Sequence, residues 1–222
     1  ETIPLFNYVY NEYIGSYYAA MPECNRPEVL YWTRGLGKAL CQGVVPTGGR
    51  YFPDPPEHNP VTIAFYRKIV RATAQECWPY LMFGEMLRPP EIDVPTIAAQ
   101  YCKFVLNATE HYADPKQRHE VRDYAVQHAA FRGRDGSIAT FFVNVSEDPV
   151  SFEVELSTYG MDADHVEVTR ITDGEHETWF RGAQLPRRER IEMAPLSISV
   201  VVVRQTPSTA DGTPLAASEV LA

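Results

Sequence analysis

Ile3-Pro4-Leu5-Phe6-Asn7-Tyr8-Val9-Tyr10-Asn11-Glu12-Tyr13 opens the chain as a nearly continuous apolar run that ends in a carboxylate set between an Asn and tyrosines. Apolar residues without alternation read as a strand buried on both faces, as in parallel sheets, with polar groups gathered at its C-terminal end. In barrels and doubly wound sheets, ligands are handled at that end of the strands.

Working outward, Asn25 and Pro27 mark a helix start, and Val29, Trp32, Leu36, Ala39 and Leu40 recur at helical spacing until Gly43 stops the helix. Val44-Val45-Pro46 is a short second strand, and the Gly- and Pro-rich stretch from Thr47 to Pro56 is a long loop after it. Asn59-Pro60 starts a longer helix, with Ile63, Tyr66, Ile69, Val70, Thr73 and Cys77 as its apolar stripe and Pro79 to kink or end it. The order strand, helix, strand, helix predicts a βαβα unit with parallel strands, the last βα units of a (β/α)8-type barrel in residues 1–94. Two parallel strands cannot cover their own faces and edges, so this unit must join a larger sheet.

Arg88-Pro89-Pro90 marks a boundary, and residues 95–118 are expected to form a helical linker, with Ile97, Tyr101, Phe104, Val105 and Ala108 on one side of a helix from Pro95 to Tyr112. From about Glu120 the period changes to two. Val150, Phe152, Val154 and Leu156 alternate with Ser151, Glu153 and Glu155, Arg134-Asp135-Gly136-Ser137 joins two apolar runs as a hairpin turn, and Asp173-Gly174 is a further turn. Leu196 to Val203 reads as a central strand. Residues 119–205 are therefore an antiparallel β-sandwich, giving an α/β plus all-β chain, and 206–222 is a small, polar tail expected to be disordered.

The chain has 222 residues, is 45% hydrophobic and carries a formal charge of −9. That charge argues against a nucleic-acid surface, which needs clustered Lys and Arg. No apolar run approaches the roughly 20 residues that span a bilayer, and no signal-peptide pattern appears, so the sequence reads as soluble with no membrane partner and no stated compartment. It has no initiator Met and begins at the edge of the expected strand, so an upstream portion is expected. Cys24, Cys41, Cys77 and Cys102 show no metal-binding spacing and read as buried thiols, with a Cys24 to Cys41 disulfide open in a secreted protein. His111, His119, His128, His165 and His176 share no ligand spacing, so no metal and no cofactor are expected. Asn107-Ala108-Thr109 and Asn144-Val145-Ser146 fit the N-glycosylation pattern, which is common by chance.

At the level of residues, Pro4-Leu5-Phe6-Asn7-Tyr8-Val9-Tyr10-Asn11-Glu12-Tyr13 resembles a late barrel strand of glycosidase-like proteins of uncharacterised function, distantly related to α-N-acetylgalactosaminidases. Phe83-Gly84-Glu85-Met86-Leu87-Arg88-Pro89-Pro90 is similar to the segment by which those proteins leave the last barrel helix. The Asp135-Gly136 turn, the strand into Asn144 and the apolar final strand resemble their sandwich. The resemblance covers about residues 3–205. It implies the C-terminal part of a TIM-barrel glycoside hydrolase whose partners are a carbohydrate substrate and the remaining N-terminal part of the same barrel.

Glycoside hydrolysis uses two carboxyl groups flanking the scissile bond. The one good candidate is Glu12, open to three roles: substrate contact or catalysis, positioning of another site residue, or a structural ion pair. Tyr8, Tyr10 and Tyr13 are candidates for an aromatic wall against a sugar, or else ordinary core and strand-end tyrosines, and Asn11 for a polar contact. Arg50, Tyr51 and Asp54 of the loop are further substrate-binding candidates, although the prolines around Asp54 favour a structural turn. Glu85 stands where the resembling proteins often have a basic residue, and reads as structural. With one carboxylate the chain alone is expected to be inactive. The rival reading is a noncatalytic carbohydrate-binding or structural β-sandwich module.

Overall fold

The computed structural model describes residues 5–13, 16–18, 29–46, 60–106, 111–161 and 165–206. Its centre is an antiparallel sheet of six strands in the order β10-β9-β12-β7-β6-β3. The strands are β3 (Glu85–Leu87), β6 (Val126–Arg132), β7 (Ile138–Asn144), β9 (Val166–Thr172), β10 (Glu175–Ala183) and β12 (Ser197–Gln205). Every residue of β7 is buried, as are Ser197–Val203 of β12. A strand is buried without alternation only when both faces of its sheet are covered.

One face is covered by helices. Leu36 and Leu40 of α2 (Val29–Cys41) and Phe65 and Ile69 of α3 (Pro60–Ala72) pack with Phe131, Phe141, Val143 and Val200. The other face meets a two-stranded sheet of β8 (Val150–Leu156) and β11 (Arg187–Met193), where Phe142, Val168, Val201 and Val203 pack on Phe152, Val154 and Ile191. Strand β8 buries alternate residues, as its period-two sequence predicts. Fully burying each such Phe, Leu or Ile contributes about 1.5–3 kcal/mol, so the two cores together fix the helix, sheet and sheet layers.

Several sequence expectations hold at the level of elements. Helix α2 ends at Cys41 before Gly43, whose φ of +71° is the left-handed conformation that glycine adopts without penalty. The Arg134–Ser137 segment joins β6 to β7, Asp173 and Gly174 both take positive φ in the turn between β9 and β10, and β12 is central, paired with β7 and β9. Residues 207–222 lie outside the described residues.

Three expectations are corrected. The opening run is not a strand: Leu5–Tyr10 is a helix, α1. An apolar run without alternation has no period to separate strand from helix, and a helix satisfies its own backbone whereas a strand there needs partners on both sides. The parallel pair does form, but between β1 (Ser16–Tyr18) and β2 (Val44–Pro46), with α2 as the crossover. At Pro79, expected to kink or end the second helix, the helix passes through a π-helical turn, Thr73–Cys77, into α4 (Trp78–Leu81), which stops two residues after the proline. A proline ring clashes with the carbonyl four residues earlier, here Gln75, and the wider turn lies where that clash would fall.

The expected helix after Pro95 is instead β4 (Thr96–Leu106), paired with β5 (His111–Tyr124) in a long hairpin arm. Thr96, Ile97, Tyr101, Phe104 and Val105 are β-branched or aromatic and prefer a pleated strand. The register jumps between Cys102–Arg118 and Lys103–Asp114, leaving Pro115 in a bulge, where a strand tolerates it. Nor is there a break at 94, since β3 belongs to the central sheet through its pairing with β6. Among the described residues no helix is long and apolar enough to cross a membrane.

Two glycines of α2 test the helix-on-sheet packing. A Cβ at Gly35 meets nothing within 4 Å, whereas at Gly37 it would overlap Val145 Cγ1. Gly35→Ala is expected to raise unfolding free energy by about 0.5–1 kcal/mol through helix propensity. Gly37→Ala is expected to lower it by about 1–3 kcal/mol through overpacking. Urea denaturation of the two variants checks the opposite signs.

Candidate functional site

Helix α1 leads into a turn that places Asn11, Glu12 and Tyr13 in three different settings. Asn11 is 2% exposed, and its Nδ2 donates to the carbonyls of Gly84 at 2.9 Å and Tyr80 at 3.4 Å. Its Oδ1 lies against Gly43, where a Cβ would come within 2.7 Å of it. Asn11 is thus a structural clamp joining the end of α1 to the α4–β3 junction and to the end of α2. Glu12 is exposed, Tyr13 is 69% exposed and Tyr10 is 46% exposed. Leu5, Tyr8 and Val9 are also exposed, so α1 carries an open apolar face.

Glu12 precedes β1 in the chain rather than closing a strand, because the segment before it is helical. It lines neither of the two clefts found among the described residues. Arg50, Tyr51 and Asp54 lie outside the described residues, as does His58. The structure therefore brings Tyr10, Glu12 and Tyr13 together on an exposed turn, separates Asn11 from them into the interior, and leaves the loop candidates undescribed.

Other groups singled out in the sequence have structural settings. Glu85 pairs with Arg132 at 2.6 Å, directly opposite it across β3 and β6. His128 is held by the Pro90 carbonyl at 2.9 Å and stacks on Phe142. Cys41 and Cys77 are buried free thiols, and burial raises the pKa of both. Asn144 is fully buried and its Nδ2 donates to the carbonyls of Asp148 and Ala194, so the folded protein offers no acceptor nitrogen for glycosylation there. Among the described residues, no group of three or more His, Cys, Asp or Glu is placed to hold a metal.

The first cleft is one the sequence reading did not find. It has a volume of about 260 Å³ and lies between α3 with the π-helical turn on one side and the β9–β10 turn with β12 on the other. Arg67, Lys68, Arg71 and Glu76 form its helical wall, Asp173 and Gly174 its opposite rim, and Ile171, Ile198 and Val200 its floor. Lys68 pairs with Asp173 at 2.7 Å and also donates to the Leu196 carbonyl at 3.0 Å. In the sequence, only the i, i+4 spacing of Arg67 and Arg71 on a helix hints at this wall. What the sequence lacked was the pairing that brings Asp173 opposite it. A second groove of about 360 Å³, lined by Val45, Val70, Thr73, Ala74 and Trp78, is apolar.

Two aspartates brace the site elements with carboxyl pKa values below their ordinary position. Burial of Asp123 works against ionisation, but hydrogen bonds from Gln127 and the Tyr124 N–H, with Lys38 and Arg34 nearby, outweigh it. Arg34 Nε lies 2.8 Å from the Asp123 carboxylate, tying α2 to β5. At Asp135 burial is again outweighed, here by the Ser137 hydroxyl and N–H and by Arg204. Ser137 Oγ donates to Asp135 at 2.6 Å and lies 2.9 Å from Tyr80 Oη, which links α4 to the β6–β7 turn.

No protein-family profile and no curated protein matches the chain. Among solved structures it is similar to a GH30 endoxylanase from Clostridium papyrosolvens C71, at 9% identity and TM-score 0.39, covering 85% of this chain and 40% of that one. A glycoside hydrolase family 30 subfamily 8 xylanase from Clostridium acetobutylicum gives 9% identity and TM-score 0.39 over 85% of this chain and 41% of that one. A candidate α-N-acetylgalactosaminidase from Bacillus halodurans C-125 gives 10% identity and TM-score 0.37 over 81% of this chain and 31% of that one. The chain spans less than half the length of these structures.

Asn11→Ala is expected to cost about 1–3 kcal/mol of stability by removing the side-chain donor to the Gly84 carbonyl, whereas exposed Glu12→Gln stays within about 0.5 kcal/mol of the parent. Chemical denaturation of both variants separates the clamp from its neighbour. Asp123 has a folded pKa below its unfolded value, near 3.9, so its stabilisation is complete above that value and is lost as pH falls through the folded pKa. The stability gap between parent and Asp123→Asn, measured from pH 7 to pH 2, is expected to be constant above about pH 5 and to narrow below about pH 4.

Proposed function

We propose that this chain is the C-terminal portion of a glycoside hydrolase that cleaves O-glycosidic bonds by carboxylate acid/base chemistry, and that alone it does not hydrolyse. The observation that carries the reading is the parallel pair β1–β2 with its crossover helix α2. Neither strand has another sheet partner among the described residues, while α2 and α3 pack onto the antiparallel sheets. A two-stranded parallel sheet is not self-sufficient, because parallel strands need cover on both faces. Further βα units from an upstream part of the same protein would complete it. The antiparallel sheets then serve as the support on which the barrel end rests.

In this reading Glu12, flanked by exposed Tyr10 and Tyr13, contributes a carboxylate and aromatic surface to a sugar site whose second carboxylate comes from the completing part. Tyrosine rings offer an apolar body and a polar tip, which suits a sugar with an apolar face and hydroxyl edges. The 47–58 loop, with Arg50, Tyr51 and Asp54, follows β2 and belongs to the same rim. Asn11 acts from behind as the residue that fixes the turn. The rival, a noncatalytic carbohydrate-binding or structural module, is favoured by one observation: Glu12 is exposed and borders neither described cleft.

The two readings part on activity. Assayed on a panel of aryl glycosides, the chain alone is expected to show no turnover, and a protein that also carries the completing βα units is expected to hydrolyse at least one member. In that longer protein Glu12→Gln is expected to lower kcat by about 10²-fold or more if Glu12 acts as general acid or base. Turnover unchanged by the substitution removes Glu12 from the chemistry. Absence of hydrolysis in the longer protein together with saturable oligosaccharide binding by the chain alone establishes the noncatalytic module instead.

A further inference from the structure

The cleft between α3 and the β9–β10 turn plays no part in the glycosidase reading. The whole chain carries a formal charge of −9, yet this cleft gathers Arg67, Lys68 and Arg71 on one helix wall. Lys68 is neutralised by Asp173. Glu76 supplies one further negative charge, so a single cation remains without a counter-charge. Arg67 is exposed and makes no ion pair or hydrogen bond with another described residue, while Arg71 Nε is held by Gln75 at 3.0 Å. Arg67 and Arg71 stand one helical turn apart, a spacing at which two guanidinium groups can address one oxyanion.

Two further features make the cleft a site rather than a basic patch. Glu76 Oε2 is buried and has no hydrogen-bond partner among the described residues. With no donor among the described residues, this oxygen is an acceptor open to a donor from an occupant. The floor of Ile171, Ile198 and Val200 is apolar and built on the central sheet, so the cavity does not collapse when empty. Gly174, with φ +91°, packs under the Arg71 guanidinium, where any Cβ would overlap it.

We propose that this cleft binds a small hydroxylated anion, with Arg67 and Arg71 holding the anionic group, Glu76 accepting a hydrogen bond from a ligand hydroxyl and the apolar floor supporting the carbon skeleton. Glu76 discriminates against an anion that has no hydroxyl to donate. The anionic group is a carboxylate or a phosphate, which the guanidinium fork accepts alike.

The test is calorimetric titration of the full chain at constant ionic strength with gluconate, glucose 6-phosphate, acetate and glucose. Saturable binding of gluconate or glucose 6-phosphate is expected, at least tenfold tighter than acetate or glucose, and the preferred member of the pair identifies carboxylate or phosphate as the group held. Arg67→Ala and Glu76→Gln are each expected to weaken binding at least tenfold, with the thermal midpoint unchanged in Arg67→Ala, which lies at an exposed position. Equal response to acetate and gluconate, binding unaffected by Arg67→Ala, or no saturable binding of either hydroxylated anion overturns the proposal. Loss of the glycosidase reading leaves it standing, because none of these residues takes part in that reading.

Discussion

The arrangement depends on one constraint: the central sheet is covered on both faces, so its middle strands can hold no exposed residue. Strands β7 and β12 meet that constraint with Ile138–Asn144 and Ser197–Val203, in which even Thr140, Asn144, Ser197 and Ser199 are buried. The polar members are tolerated because they are bonded. Asn144 serves two carbonyls and Ser197 Oγ donates to that of Ala194. Burial of Phe141 toward the helices and Phe142 toward β8 shows the alternation of a strand reaching two different cores. Helices, hairpin arm and outer sheet are all placed by this slab.

Polar ties then set the helices on it. Thr33 donates to the Val145 carbonyl at 2.7 Å, Arg34 reaches Asp123, Lys68 reaches Asp173, and Asn11 bridges Gly84 and Tyr80. Each joins an element of the N-terminal half to the loops and hairpins that follow it in sequence. The partly buried ion pairs fasten helices α2 and α3 to β5 and to the β9–β10 turn, while the buried Asn11 and Thr33 contacts specify position, because a buried carbonyl that loses its donor is costly. The two halves that differ in sequence period are thus packed as layers against each other, with β3 passing from one into the other.

What was legible in the sequence followed from periodicity. The alternation of Val150, Phe152, Val154 and Leu156 predicted β8, the turn residues Asp135-Gly136 and Asp173-Gly174 predicted two hairpins, and Gly43 predicted the end of α2. Where the period was ambiguous, tertiary context decided. Leu5–Tyr10 is apolar all round and forms a helix with exposed Leu5 and Tyr8, and the stripe at Ile97, Tyr101, Phe104 and Val105 suited a helix until its pairing with β5 required a strand. At the candidate site, Asn11 could be read as polar and important but not as a clamp, since its partners lie about seventy residues away. The cleft at Arg67, Arg71 and Glu76 was illegible for the same reason. Only the β9–β10 turn, a hundred residues on, gives it a second wall.

The layer model makes the helices and the sheet one cooperative unit, and hydrogen exchange read by mass spectrometry tests that most directly. The model predicts that amides of α2 and α3 exchange as slowly as those of β7 and β12, through the same global opening. Helical amides that exchange orders of magnitude faster than the central strands under the same conditions would contradict it, because the helices would then open without the sheet.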